Sequence, residues 1–391
     1  MSTAAVSSPI DWARARIGQA EGAGLLRAPR VRSGGSGTHA VVGGRPVVVL
    51  SGNDYLGLSV HPAVRAAAAE AARCEGAGAT GSRHLSGCHE AIERLESELA
   101  EFEGAATATL APSGYAANLA VLQALGGQDC VILSDERNHA SLIDGSRLSR
   151  GRVEVYAHRD LDDLERRLRR VEGRPIVVSD TVFSMDGAVA DVAGLAQLAR
   201  RHGAWLVLDE AHATGVLGPG GRGAAAAAGL DLRDPAVVRV VTLSKALGAG
   251  GGAVCGDAVV RQLLLQRGRA LIFSTALPHP TVAAAHAALR VLRDGGEALL
   301  RRLHANARLL RAGLDVRGDE TMPIVPVIVG EAARAVALER ALLDTGHLVQ
   351  AVRPPTVPAG TSRLRLVASA AHTEDELRGA AAAVRTAMAS L

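Results

Sequence analysis

The chain has 391 residues, enough for about two to three domains, and 43 basic against 40 acidic side chains leave a net charge of +3. That near-balance, with only 2% aromatic residues, provides neither the basic field nor the stacking platforms that nucleic acid needs. No apolar run is long enough to span a bilayer, and the stretch Met1 to Arg16 lacks the apolar centre of a signal peptide. Four scattered cysteines (Cys74, Cys88, Cys130, Cys255) form no C-x-x-C pair. They fit a reducing cytoplasm and argue against a zinc site or a disulfide framework.

A first helix is predicted near 9–22. From about residue 104 the chain alternates. Apolar, β-rich runs fall at 106–110, 130–134, 153–157, 175–180, 204–209 and 237–243, with helical patterns at 114–125, 139–149, 161–171 and 192–202. Such alternation predicts an α/β fold with a mostly parallel central sheet, whose strands are covered on both faces and so carry unbroken Val/Ile/Leu runs. Beyond about 280 two helices (280–294 and 296–314) precede short strands at 324–329 and 363–368, with further helices at 331–345 and 373–389. The expected division is an N-terminal segment 1–46, a large domain 47–284 and a smaller α+β domain 285–391.

Two motifs mislead. Gly76-Ala-Gly78-Ala-Thr-Gly81 matches G-x-G-x-x-G, but the stretch before it reads as a helix, not the strand that a dinucleotide site requires. It is a glycine-rich loop instead. Asp209-Glu-Ala-His212 resembles an acidic box of ATP-driven helicases, yet no phosphate-loop lysine exists to serve it. No H-E-x-x-H or other metal-ligand spacing appears, so no metal site is expected.

The most informative count is of lysine. There is one, Lys245, against 42 arginines. A primary amine can lose its proton and form an imine, and a guanidinium cannot. Lys245 follows the run VVRVVTLS, Asp209 ends AWLVLD and His139 follows CVILSDERN. All three therefore lie at carboxyl ends of predicted strands, where open α/β sheets collect ligands. An imine with pyridoxal 5'-phosphate also needs a carboxylate facing the ring nitrogen, a surface against the ring and donors for the phosphate. Asp209 suits the first and His139 the second. Ser113-Gly114-Tyr115 opens a helix whose free N–H groups attract an anion, and Thr242 adds a hydroxyl. Each also has an ordinary reading: a capping aspartate, a loop histidine, a plain helix start.

Together these residues resemble the α-oxoamine synthases, pyridoxal-phosphate enzymes of the aspartate-aminotransferase-like fold (fold type I). The resemblance covers nearly the whole chain. It rests on Ser51-Gly-Asn-Asp-Tyr-Leu-Gly-Leu58, the glycine-rich Gly76–Gly87 stretch, Asn138-His139-Ala-Ser141, and Val182-Phe-Ser184-Met-Asp186-Gly. It continues through Asp209-Glu-Ala-His212, Thr242-Leu-Ser-Lys245 and the run Arg353-Pro-Pro-Thr356 to Arg365. This last run is the most specific for the branch that condenses L-alanine with a pimeloyl thioester, on coenzyme A or acyl carrier protein, in biotin biosynthesis. The resemblance implies that Lys245 holds the cofactor and then acts as base. It implies that Asp209 pairs with the ring nitrogen and that His139 stacks on the ring and helps the carboxylate leave. Ser184 and His212 would bond near the phenolic oxygen; Gly114, Tyr115 and Thr242 would serve the phosphate. Arg353 would bind the amino-acid carboxylate, with Thr356 on the substrate side and Arg27 toward the acyl group. Ser274 and Thr275 would reach phosphate across the interface of a cytoplasmic homodimer. The chain departs from the pattern at Ala213, where a glycine is usual, and at Pro278-His279, where Pro-Pro is common. Competing readings are a relative that uses glycine or serine, such as glycine C-acetyltransferase, a pyridoxal-phosphate aminotransferase, or a non-catalytic protein of the same fold.

Overall fold

Strands with no polar alternation need cover on both faces. A computed structural model, which describes residues 8–391 apart from positions 23 and 36, shows how they obtain it. The chain opens with α1 (Pro9–Gly22), β1 (Arg32–Gly34), β2 (His39–Val42) and β3 (Arg45–Val49), followed by α2 (Pro62–Glu75) and α3 (Glu90–Glu103). The alternation is β4 (Thr107–Ala111), α4 (Gly114–Leu125), β5 (Cys130–Asp135), α5 (Ala140–Leu148), β6 (Arg152–Tyr156), α6 (Leu161–Leu168), β7 (Arg174–Asp180), α7 (Val192–Arg201), β8 (Trp205–Asp209), α8 (Gly223–Ala227), β9 (Val237–Thr242) and β10 (Gly252–Gly256). Then come α9 (Ala258–Arg267), α10 (Arg269–Ile272), α11 (His279–Leu314), β11 (Ile324–Gly330), α12 (Ala332–Asp344), β12 (His347–Leu348), β13 (Gln350–Val352), β14 (Ser362–Val367) and α13 (Glu374–Ser390).

Strands β4 to β10 form one seven-stranded sheet in the order β4-β10-β9-β8-β7-β5-β6. Neighbours from β9 to β6 run parallel, and β10 is antiparallel to both β4 and β9. Alternate residues feed opposite cores: Val177, Leu206 and Leu208 pack on one face, while Ile176, Val178 and Val207 pack on the other. This is the mostly parallel α/β sheet expected from the alternation. The strand that the pattern missed is β10. Its sequence, GAVCG, has only three apolar residues between glycines and does not signal on its own; pairing on both sides makes it a strand.

The C-terminal part is a smaller α+β layer. Strands β11, β14 and β13 form a three-stranded antiparallel sheet packed with α12 and α13. The N-terminal strands join it: β12 pairs in parallel with β3, and Leu50 lies in the same apolar cluster as Leu364 and Leu377.

One expectation is corrected. The two helices at 280–294 and 296–314 are a single 36-residue helix. Gly295-Gly296 signals a break, at a cost of about 1 kcal/mol per glycine. Burial of Leu292 and Leu300 on either side outweighs it. Gly296 is itself buried, and a Cβ there would meet Leu292 Cδ1 at 2.6 Å. Residues of α11 as far as Leu303 belong to the large core and Ala307 and Leu310 to the small one, so one helix runs from the first core into the second.

Candidate active site

Parallel strands end together, and four of these ends carry the site. Strand β8 stops at Asp209 and β7 at Asp180; β5 leads to His139, the residue before α5; β9 leads through Leu243 and Ser244 to Lys245. The lysine turn closes with Gly248 N–H donating to the Lys245 carbonyl at 2.9 Å. Gly248 has φ +60° and packs so closely on the Leu58–Ser59 backbone that a Cβ would meet Ser59 N at 2.2 Å. No other residue fits this turn.

Lys245 Nζ lies 2.9 Å from His212 Nε2, and His212 Nδ1 lies 2.5 Å from the Tyr55 hydroxyl. The Tyr55 hydroxyl also reaches Asn53 Oδ1 at 3.3 Å, which accepts from Arg365 Nη2 at 3.0 Å. The donors fix the direction: the lysine gives to Nε2, the imidazole gives from Nδ1 to the Tyr55 oxygen, and Tyr55 gives to Asn53. Arg365 Nε is held by the Ser184 carbonyl at 2.6 Å. Burial brings the Lys245 amine down to about 8, opposed by the Asp209 and Asp180 carboxylates and aided by the Arg365 charge. Burial, then Lys245 and Arg365, pushes His212 well down, so it stays neutral.

A second chain runs through Asp209. Its Oδ2 accepts from Asn118 Nδ2 at 2.6 Å and its Oδ1 from the Ala211 N–H at 2.8 Å. Asn118 also donates to Ser141 Oγ at 2.9 Å, which lies 2.7 Å from His139 Nδ1. The Ser141 N–H donates to that same nitrogen, so the neutral ring carries its proton on Nε2. Burial lowers the His139 pKa, against the pull of Asp209. Asp180 accepts the His139 N–H at 2.6 Å; burial and the facing Asp209 push its carboxyl well up.

Between β4, β9 and β10 the backbone leaves a cradle. Ser113 Oγ caps α4 by accepting from Ala116 N–H at 3.0 Å, which leaves the first N–H groups, those of Gly114 and Tyr115, for an anion. A Cβ on Gly114 would stand 3.3 Å from Thr242 Oγ1, and one on Gly252 would meet Gly114 N at 2.5 Å. A phosphate, a ring with a basic nitrogen and an aldehyde find partners here in the cradle, Asp209 and Lys245. Asn118 Oδ1 is buried with no hydrogen-bond partner among the described residues, beside the carboxylate that would face the ring. The residues present fit pyridoxal 5'-phosphate.

The fold gathers Lys245, Asp209, His139 and His212 in one place, with Gly114 and Thr242 in the adjoining cradle. Tyr115 donates to Asp144 Oδ2 at 2.5 Å and stands edge-on to the His139 ring, 6.5 Å between centroids. Ser184 enters through its carbonyl. Arg27, Arg353 and Thr356 are held by contacts of their own: Arg27 donates to Thr356 Oγ1 at 3.0 Å and Arg353 to the Leu26 carbonyl at 2.7 Å. Ser274 donates to the Ala270 carbonyl at 2.7 Å, and Thr275 forms a bridge with Ser82. Among the described residues, neither hydrogen-bonds to the Lys245 group. Ala213 is fully buried within the main core, so its methyl packs among apolar neighbours.

Sequence reasoning gave no role to Tyr55, Asn53, Asn118, Asp180 or Arg365. Signals existed. Asp180 ends a strand as Asp209 does, and Asn118 is an amide on the buried side of the apolar GYAANLAVLQAL helix, where a buried polar group demands partners.

The Aminotransferase class I and II family model matches residues 45–384. An 8-amino-7-oxononanoate synthase of Geobacter sulfurreducens is 47% identical over 373 residues, covering 92% of this chain and 94% of that protein. One from Burkholderia mallei is 45% identical over 391 residues, covering 97% and 98%. Among solved structures, an SPT with PLP internal aldimine superposes with a TM-score of 0.91 at 32% identity, covering 98% of each chain. The 8-amino-7-oxononanoate synthase of Francisella tularensis superposes at 0.74 and 27% identity, over 87% of this chain and 97% of that one. The chain belongs to the 8-amino-7-oxononanoate synthase family, within the pyridoxal-phosphate-dependent class I and II aminotransferases of fold type I.

Proposed function

We propose that this protein condenses L-alanine with a pimeloyl thioester, releasing carbon dioxide and the thiol and giving 8-amino-7-oxononanoate. The observation that carries this reading is the buried Lys245 amine, brought to about 8, set among Asp209, His212 and Arg365 in a chain of this family. When bound, pyridoxal 5'-phosphate supplies the electron sink for a carbanion at the amino acid's α-carbon.

The chain's own residues do the rest. Lys245, neutral in a substantial fraction near pH 8, holds the cofactor and takes the α-proton at Nζ. His212 accepts from Nζ and orients it. Asp209, fixed by Asn118 and the Ala211 N–H, keeps a proton on the facing ring nitrogen. His139, locked by Ser141, offers its ring face for stacking and its Nε2–H to the departing carboxylate. Gly114, Tyr115 and Thr242 bind the phosphate.

The resemblance gave the amino-acid carboxylate to Arg353. The arginine whose charge bears on Lys245, however, is Arg365. Two of its N–H groups are committed to Ser184 and Asn53, which leaves others of its planar fork for a carboxylate. We assign the carboxylate to Arg365, and Arg27, Arg353 and Thr356 to the anionic acyl substrate. Ser274 and Thr275, which make no hydrogen bond to the site in their own chain, suit a homodimer in which they serve the neighbouring phosphate. Four free cysteines suit a cytoplasmic setting.

The likeness to SPT structures supports a second reading, a serine-using condensation, and one experiment separates the two. Holoenzyme is mixed with pimeloyl-CoA and L-alanine, L-serine or glycine, and products are identified by mass spectrometry. The expected product is 8-amino-7-oxononanoate from alanine. Product from serine or glycine alone, or pyruvate from alanine without thioester, refutes the proposal.

A further inference from the structure

Metal-ligand spacing is absent along the sequence, but the fold creates a cluster from residues remote from one another. Glu75 is the last residue of α2, His89 precedes α3, and His279 is the first residue of α11. One ligand atom from each lies within 4.8 Å of the others. Glu75 Oε2 stands 2.6 Å from His279 Nδ1. The two imidazoles stack with centroids 3.8 Å apart and 25° between their planes. Among the described residues, His279 Nδ1 is shielded from solvent with no aligned hydrogen bond although the Glu75 carboxylate is near, and the His89 ring nitrogens are shielded too, with only the Leu277 backbone beside that ring.

Buried imidazole nitrogens without partners are costly. Stacked rings beside a carboxylate are not explained by packing alone, because an apolar pair would fill the space without that cost. We propose that Glu75, His89 and His279 bind one divalent cation of the zinc class, with water completing its shell. Two imidazole nitrogens and one carboxylate oxygen are a donor set for zinc, whereas magnesium and calcium prefer oxygen alone. Glu75 and the negative end of the α2 dipole offset the two helix N-termini that face the site.

The site clips two segments together. Glu75 and His89 flank the glycine-rich loop 76–88, and His279 ties both to the segment before α11. These segments already touch: the Ala276 N–H donates to the Gly81 carbonyl at 3.0 Å, and Ser82 pairs with Thr275. His279, the departure from Pro-Pro, supplies a ligand where proline has none.

The test uses chelator-treated, cofactor-saturated enzyme titrated with zinc by calorimetry and with cobalt by visible absorption. Wild type should take up one equivalent per chain, with a rise in melting temperature. His89→Ala and His279→Pro should each weaken that binding at least tenfold, while His84→Ala, exposed on the same loop, should leave it unchanged. If a histidine variant does not fold, Glu75→Gln, whose side chain is half-exposed, must show the weakening instead. No saturable uptake by wild type, or equal uptake by wild type and the folded ligand variants, overturns the proposal.

Discussion

The single lysine permits an unusually clean test of the site's electrostatics. Burial lowers the Lys245 amine from 10.5 to about 8. At roughly 1.4 kcal/mol for each tenfold change in proton affinity, holding the charged amine in the cofactor-free fold costs about 3 kcal/mol. The sign follows from linkage. Below pH ~8 the amine is charged in both folded and unfolded chains, and the cost is fully present. As pH rises from ~8 toward ~10.5, the folded chain has shed its proton and the unfolded chain still binds it, so the cost disappears. Cofactor-free wild type should therefore gain about 3 kcal/mol relative to Lys245→Met between pH ~7 and pH ~10.5. Urea unfolding of both proteins across that range measures the gap, and its change with pH cancels any constant effect of the methionine. Because no other lysine exists, isotope-labelled lysine yields one side-chain resonance whose titration reads the amine directly. A midpoint near 10.5, or a stability gap that stays flat with pH, would refute the reasoning.

Two further substitutions probe the groups around the amine. Arg365→Ala should raise the KM for L-alanine by about tenfold or more, the worth of a lost charge-assisted hydrogen bond, and should move the Lys245 titration above 8. Arg353→Ala should instead act on the acyl thioester and spare alanine. Asn118→Ala strips Asp209 of its 2.6 Å donor and should slow exchange of the alanine α-proton with solvent by about tenfold or more; exchange within about twofold of wild type would remove Asn118 from the account.

The legible parts of this protein were those set by local pattern. Val/Ile/Leu runs marked the parallel strands because both faces of the sheet are covered, and Asp209, His139 and Lys245 could be placed by reading where each run stops. Long-range contacts left no such mark. Arg353 and Arg365 share one run, and only the placement of β14 beside residues 53 and 184 brings Arg365 to the amine. Strand β10 exists because two neighbours pair with it, and α11 continues through Gly295-Gly296 because leucines on either side are buried. Tyr55, within Ser51–Leu58, carries no local sign of its role because its partner His212 is 157 residues away.

The unbroken α11 has a mechanical consequence. At about 1.5 Å per residue it is roughly 54 Å long, anchored at one end beside the seven-stranded sheet and at the other beneath β11, β13 and β14. Such a strut transmits torque instead of absorbing it. Lys245 rides on the large sheet and Arg365 on the small one, so the rod sets the gap between the amine that would take the proton and the guanidinium that would hold the carboxylate. Any opening of that gap must be taken up by the connecting loops, because α11 runs unbroken from His279 to Leu314.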